Sequence, residues 1–458
     1  MFIALFIIAI LFYLALTRPS VGLIAFLILS FSIPLDVIDA GSLGTATKIA
    51  GLGLAAGYFM RVILLDIKID FTPVLLSSFF FLMMWRIFEA SRSKGLEALD
   101  WIKSVQSLPE MVFQVILFFV LVVIITNVIK KEKDLLNVTQ WMIYGITLSA
   151  GYSFLISLGI AEPMPEAVTN WEKAGRASGL RDNPNDFIAY NGLAIGLQLP
   201  FFMVLLNSSS KLLTKDFIVY SMLLMIMLYG QIMSGSRTGL LMIVVMGLTY
   251  ISLNFRNLNY KRLSLVFAFL CFFILVIIFS GLVSLVNLLH LFDLPGLSNL
   301  FTGQNYVFDS SALHRLERQR IVLDMFAINP FIGIGLGNYE LFMADTLGYG
   351  SSSHNFFVET LGEQGLVGIV LFFLFLGGIF RNLFKARRLY QLHKNHILIT
   401  ITEGFIISSA GLCFERLFSS AEVTTKIFYI LFGLSYVVLK VAENKNKESR
   451  GLNLDARF

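Results

Sequence analysis

Apolar residues fall in long unbroken runs, near 2–16, 20–35, 45–65, 72–88, 111–129, 138–160, 186–206, 217–233, 238–254, 263–289, 356–380, 398–414 and 423–441. A helix rising about 1.5 Å per residue needs roughly 17–25 apolar residues to cross a hydrocarbon layer about 30 Å thick. The runs do not alternate between apolar and polar positions, so they predict spanning helices and not the strands of a closed barrel. The expected fold is therefore all-α. It is a polytopic transmembrane helical bundle of about 12–13 spans, with one large extracytoplasmic loop containing short helices.

Composition agrees. Hydrophobic residues make up 57% of the 458 residues, charged residues 14%, and the mean hydropathy is +0.78. A water-soluble domain carries about 25% charged residues, and no soluble surface could hide this much Leu, Ile, Val and Phe. The apolar start lacks a basic n-region and an obvious cleavage site, so it reads as a first span and not as a signal peptide. Cys271 and Cys413 both sit inside apolar runs and read as small core hydrophobes; neither a disulfide framework nor a zinc spacing is present.

The polar links carry the orientation. Basic clusters recur on every second link: Lys130, Lys131 and Lys133; Lys211 and Lys215; Arg256, Lys261 and Arg262; Arg381, Lys385, Arg387, Arg388 and Lys394; and Lys445, Lys447 and Arg450. They therefore share one side, which the positive-inside rule makes the cytoplasm. The net charge of +5 reports this topology and not nucleic-acid binding. A cytoplasmic tail after thirteen segments puts Met1 outside, unless one weak N-terminal segment does not span. The expected organisation is N-terminal transmembrane helices over 1–289, an extracytoplasmic loop region over 290–355, and C-terminal transmembrane helices with a cytoplasmic tail over 356–458.

Four constellations collect on the opposite, outward side. Arg176 and Arg181 precede Asn183-Pro184-Asn185, a turn that leads into a span. Ser234-Gly-Ser236-Arg237 interrupts an apolar run between two spans. Arg315, Arg318 and Arg320 lie on an amphipathic helix that ends before Pro330 and the run Gly333-x-Gly335-x-Gly337. His354-Asn355 opens the next span, with Ser353 or His354 as its expected cap and Glu363-x-Gly365 following. Each has a bland reading: snorkelling or interfacial arginines, a solvated basic helix face, a structural histidine. Together they make a more specific set. Arginine forks match phosphate oxygens, and a histidine can act as general base toward a hydroxyl. Outward Asp and Glu are sparse and form no Asp-x-Asp pair, so no metal and no cofactor is expected.

At these residues the chain resembles the O-antigen ligase and polymerase superfamily of bacterial membrane glycosyltransferases, over about 170–380. The resemblance implies transfer of a glycan from an undecaprenyl-pyrophosphate carrier to an acceptor hydroxyl at the outer face of the bacterial cytoplasmic membrane. The acceptor is lipid A–core for a ligase and another carrier-linked repeat unit for a polymerase; ligase-like transfer is favoured here. It implies an inverting, metal-independent reaction in which His354 deprotonates the acceptor. Arg181 (or Arg176), Arg237 and Arg315 hold the pyrophosphate, and Asn355, Glu363, Asn185 and Ser236 support them. The carrier tail lies among apolar helices in contact with membrane lipids. A transporter of lipid-linked sugars is the alternative of another class; it would place ionisable residues near the midplane in repeated, broken helices.

Overall fold

The computed structural model describes residues 2–32, 46–92, 108–161, 177–180, 184–207, 214–255, 264, 310–348, 353–419 and 425–455. Among these, all the regular structure is helical. The helices are α1 (Phe2–Thr17), α2 (Pro19–Ser32), α3 (Ala46–Leu64), α4 (Thr72–Leu75), α5 (Ser78–Arg92), α6 (Leu108–Val128) and α7 (Glu132–Ser157). They continue with α8 (Pro184–Asn207), α9 (Lys215–Met233), α10 (Arg237–Asn254), α11 (Ser310–Ile328) and α12 (Tyr339–Leu347). The chain then forms α13 (Phe356–Leu392), α14 (His396–Glu415) and α15 (Thr425–Asp455).

The helices track the apolar runs closely, with three differences. The run at 72–88 divides: α4 stops at Leu75, and α5 begins at Ser78 and carries on to Arg92. The last run extends well past 441, because α15 continues to Asp455. The expected span at 263–289 and the loop start at 290–309 lie outside the described residues, apart from Ser264.

Contacts sort the helix ends into two layers. At one end Lys445 pairs with Glu132 and Lys440 with Asp70 at 3.2 Å, and the Asp70 amide donates to Asn127 Oδ1 at 2.9 Å. Arg387 donates to Glu403 Oε1 at 2.8 Å and to the Leu253 carbonyl at 2.8 Å, and Asn254 donates to Glu403 Oε2 at 3.1 Å. This end gathers the last turns of α6, α10 and α13, the first turns of α7 and α14, and the second half of α15. Lys130, Lys131, Lys133 and Lys445 are all here, as the alternation of basic links requires. At the other end the starts of α8, α10 and α13 meet the finishes of α5, α7, α9 and α14.

Packing between the spans depends on close contact, since lipid gives little hydrophobic drive for helix association. Phe79 of α5 stacks against Phe432 of α15 with ring centroids 5.2 Å apart, and meets Tyr429 at 5.7 Å and Phe375 of α13 at 6.0 Å. Gly57 lets α3 lie on α1: a Cβ there would sit 2.3 Å from the Phe12 carbonyl oxygen.

Candidate active site

The site end is organised by a break in α13. At Gly365 the backbone takes φ 64°, ψ −165°, so the helix is interrupted. In a continuous helix the Leu366 and Val367 amides would bond the carbonyls of Gly362 and Glu363. Here the segment Pro330–Gly335 is inserted instead. Leu366 N–H donates to the Pro330 carbonyl at 2.9 Å and Val367 N–H to that of Phe331 at 3.0 Å. The Gly362 and Glu363 carbonyls accept from Ile334 N–H at 3.2 Å and Gly335 N–H at 2.8 Å. The loop thus supplies the two acceptors and two donors that the break leaves over, so none is buried unpaired.

This insertion requires glycine at both crossing points. Gly333 has φ +65°, and a Cβ on it would lie 2.2 Å from the Glu363 carbonyl oxygen; on Gly365 it would lie 2.4 Å from the Phe331 carbonyl carbon. The Gly-x-Gly-x-Gly run therefore serves close backbone approach to α13.

Arg92, the last residue of α5, clamps the inserted loop. Its Nη1 donates to the Ile332 carbonyl at 2.9 Å, its Nη2 to the Gly333 carbonyl at 3.0 Å, and it pairs with fully buried Glu89 at 2.9 Å. Lysine would keep the charge and lose the fork. We expect Arg92→Lys to lower stability by about 1.5–3 kcal/mol, read as a lower midpoint of thermal unfolding in detergent. An unchanged midpoint would remove the clamp from the account.

Glu363 then links the loop to the neighbouring helices. Its Oε1 accepts from the Tyr339 amide at 3.0 Å, completing the start of α12. The Tyr339 hydroxyl donates to the Arg318 carbonyl of α11 at 3.2 Å, and burial pushes its phenol up, so it stays a neutral donor. Val322 of α11 abuts Gly362, where a Cβ would meet its Cγ1 at 2.6 Å. α11 and α12 are thereby fixed against the first turns of α13.

Those first turns follow directly from His354. Its backbone is left-handed, at φ 56°, which is strained for a residue other than glycine and persists only where neighbours over-determine it. They do so on both sides. Ser353, fully buried, donates its hydroxyl to Glu359 Oε2 at 2.8 Å and accepts from the Asn355 amide at 3.1 Å. Asn355 Oδ1 accepts from the Val358 amide at 3.2 Å. The cap of α13 is therefore Asn355 and not Ser353 or His354: its backbone is extended and its side chain reaches the Val358 amide. The Phe356 amide is shared between the carbonyls of Arg416 at 3.1 Å and Ser419 at 3.2 Å, beyond the end of α14.

Arg237 is the first residue of α10 and Ser236, buried, is its N-cap position. The turn before it is braced: Gly235 has φ +63°, Ser234 Oγ donates to the Gln231 carbonyl at 2.6 Å, and Ser234 Oγ accepts from the Ser236 amide at 3.3 Å. Gln231 also donates to the Gly239 carbonyl at 3.2 Å and accepts from Asn191 of α8 at 2.7 Å. Pro184 opens α8, with Asn185 following. The Ala177 amide donates to the Met233 carbonyl at 2.8 Å, which ties the segment before α8 to the Arg237 turn. Arg315 lies on α11, one turn before Arg318. The side chains of Arg237 and Arg315, and the whole of Arg176, Arg181 and Asn183, lie outside the described residues.

The backbones of His354, Glu363, Arg237 and Arg315 thus come to one end of the bundle. Several residues there were not singled out from sequence: Glu359, Glu89, Arg92, Glu415 and Arg416. A signal existed for the last four, since each is a charge at the end of an apolar run. Among the described residues no group of three or more His, Cys, Asp or Glu side chains is placed to hold a metal ion.

Among the described residues all the regular structure is helical and five helices are long and apolar enough to cross a membrane, which defines a polytopic integral membrane protein. Residues 222–373 match the family described as O-antigen ligase, which places that stretch in the O-antigen ligase superfamily, with its glycosyltransferase-like ligation or polymerisation of glycans. No curated protein matches the chain. The matched stretch runs from within α9 into α13 and is narrower than the resemblance drawn from about 170 to 380. It takes in Arg237, Arg315, the glycine loop, His354 and Glu363. It stops short of Arg176 and Arg181 on one side and of Glu415 and Arg416 on the other.

Proposed function

We propose that this protein is a metal-independent glycosyltransferase that moves a glycan from an undecaprenyl-pyrophosphate carrier to an acceptor hydroxyl, in the manner of an O-antigen ligase. The acceptor oxygen attacks the anomeric carbon, His354 takes the hydroxyl proton, and the bond to the pyrophosphate breaks. The departing carrier pyrophosphate keeps the electron pair, and Arg237, Arg315 and Arg181 (or Arg176) stabilise its charge. The reaction takes place at the extracytoplasmic face of the cytoplasmic membrane.

The observation that carries this reading is the left-handed turn at His354. A strained histidine, held by three separate sets of bonds at the mouth of a helix, lies within the family-matched stretch. The position of Arg237 supports it. The N-terminus of a helix is its positive end, so a cation there is placed against the macrodipole and both favour an anion nearby. A cleft lined by Lys48 and Lys426 together with apolar Phe26, Leu54, Leu121 and Ile430 further supports a lipid-borne donor. Such a lining suits an anionic head followed by an isoprenoid chain.

The test is transfer by the purified protein from a polyprenyl-pyrophosphate-linked oligosaccharide, with product analysis. Glycan on a lipid A–core acceptor supports the ligase; lengthened carrier-linked chains assign the chain to the polymerases of the same superfamily. Neither product would sink the proposal. EDTA should leave the rate unchanged. We expect Arg237→Ala and Arg315→Ala each to lower kcat/KM for the donor by about tenfold to more than a hundredfold, from contacts worth about 1.5–3 kcal/mol. Lysine should restore only part, lacking the two-pronged donor. Parental donor kinetics in Arg237→Ala would remove its phosphate role.

A further inference from the structure

We propose that Glu415 and Arg416, at the end of α14, are positioning residues for His354; the proposal rests on the catalytic reading above. Both side chains are fully buried, and Arg416 Nε lies 3.1 Å from Glu415 Oε2. The pair packs inside the corner 415–419, whose backbone closes through Leu417 N–H to the Phe414 carbonyl at 3.1 Å and Phe418 N–H to the Glu415 carbonyl at 2.9 Å. The carbonyls of Arg416 and Ser419 at this corner receive the Phe356 amide, two residues after His354.

Stability alone does not account for such a pair. Burying two charges gives back little beyond their desolvation, and well-packed apolar replacements are often as stable or more so. A helix C-terminus also disfavours the glutamate. What the pair does supply is a fixed place for two carbonyls. Those carbonyls hold one flank of the left-handed turn, while Ser353, Glu359 and Asn355 hold the other. If the corner relaxes, His354 is free to return to the right-handed backbone that a histidine prefers. The imidazole then no longer points where the acceptor hydroxyl arrives. A shift of about 1 Å in a catalytic group is enough to cost a hundredfold in rate.

The experiment compares full-length parent, E415L/R416M, R416K and H354A in one transfer assay with a polyprenyl-pyrophosphate-linked oligosaccharide donor. Thermal unfolding is followed in parallel. The double variant removes both charges at once, so neither is left buried alone. It should unfold near the parental midpoint, with kcat lowered ten- to a hundredfold and donor KM within twofold. R416K, which retains the charge, should recover part of kcat. Parental kcat in the double variant, or kcat falling only in step with stability, overturns the proposal. Should the double variant not fold, R416K decides, since it keeps the charge and loses only the guanidinium's shape: lower kcat at parental KM supports positioning, and parental kcat refutes it. H354A separates the two readings. An active H354A defeats the catalytic assignment itself, whereas an inactive H354A beside a fully active double variant defeats only the inference about Glu415 and Arg416.

Discussion

His354→Ala is expected to lower kcat for glycan transfer by about 10²–10⁴-fold, the range that a positioned general base contributes. Donor KM should change little, because the pyrophosphate is assigned to arginines elsewhere in the site. The protein should remain folded. The His354 side chain is only half-buried, and the turn it occupies is held by Ser353, Asn355, Glu359 and the corner after α14. Alanine in a left-handed backbone brings no new strain, since histidine already bears it. His354→Gly would relieve that strain and should be at least as stable as the parent, yet equally inactive. Stability and rate then move in opposite directions, which a structural role for His354 would not produce. Retention of parental kcat in either variant would end the general-base assignment.

The largest effect on stability should come from Gly365→Ala. A methyl group at this position meets the Phe331 carbonyl carbon at 2.4 Å, and alanine must also hold φ near +64°. The positive-φ extended backbone, open essentially only to glycine, costs alanine about 1–3 kcal/mol and forced overpacking about 1–3 kcal/mol, so the loss should be about 2–6 kcal/mol. The inserted loop cannot simply withdraw. It provides the partners for the amides of Leu366 and Val367 and the carbonyls of Gly362 and Glu363, and withdrawal would leave all four without them. The expected reading is a sharply lower unfolding midpoint, or no folded protein, with transfer lost alongside. Gly377→Ala, in the same helix where a Cβ meets nothing within 4 Å, is the matched control and should be close to neutral. A Gly365→Ala variant as stable as that control would mean that the helix break is not built as described.

Much of the fold was legible because a bilayer imposes a simple rule on sequence. Nearly every described span sits where an apolar run predicted it, and the basic links alternate as the helix ends do. Boundaries were read less well where polarity and geometry part company. Ser78–Arg92 remains helical past the apolar run because Arg92 and Glu89 neutralise one another and bond the loop beyond. The Gly-x-Gly-x-Gly run was visible as a motif, but its use was not. Nothing in the spacing of Gly333 says that it crosses Glu363, because the two meet only through the break at Gly365. The candidate members of the proposed site were legible as charges, and the bonds that support them were not. His354, Arg237 and Arg315 stand out as charge where charge is expensive, whereas Ser353, Glu359 and Arg416 act through bonds to residues that are close in space for reasons of folding.

Sequence alone determined that this chain is a many-helix membrane bundle and where its candidate charged residues lie, since hydrophobic length and local charge are properties of contiguous stretches. Tertiary structure alone decided how α13 is broken and refilled, and how the turn at His354 is locked against α14. Those depend on backbone amides and carbonyls, which every residue has and which only packing can pair.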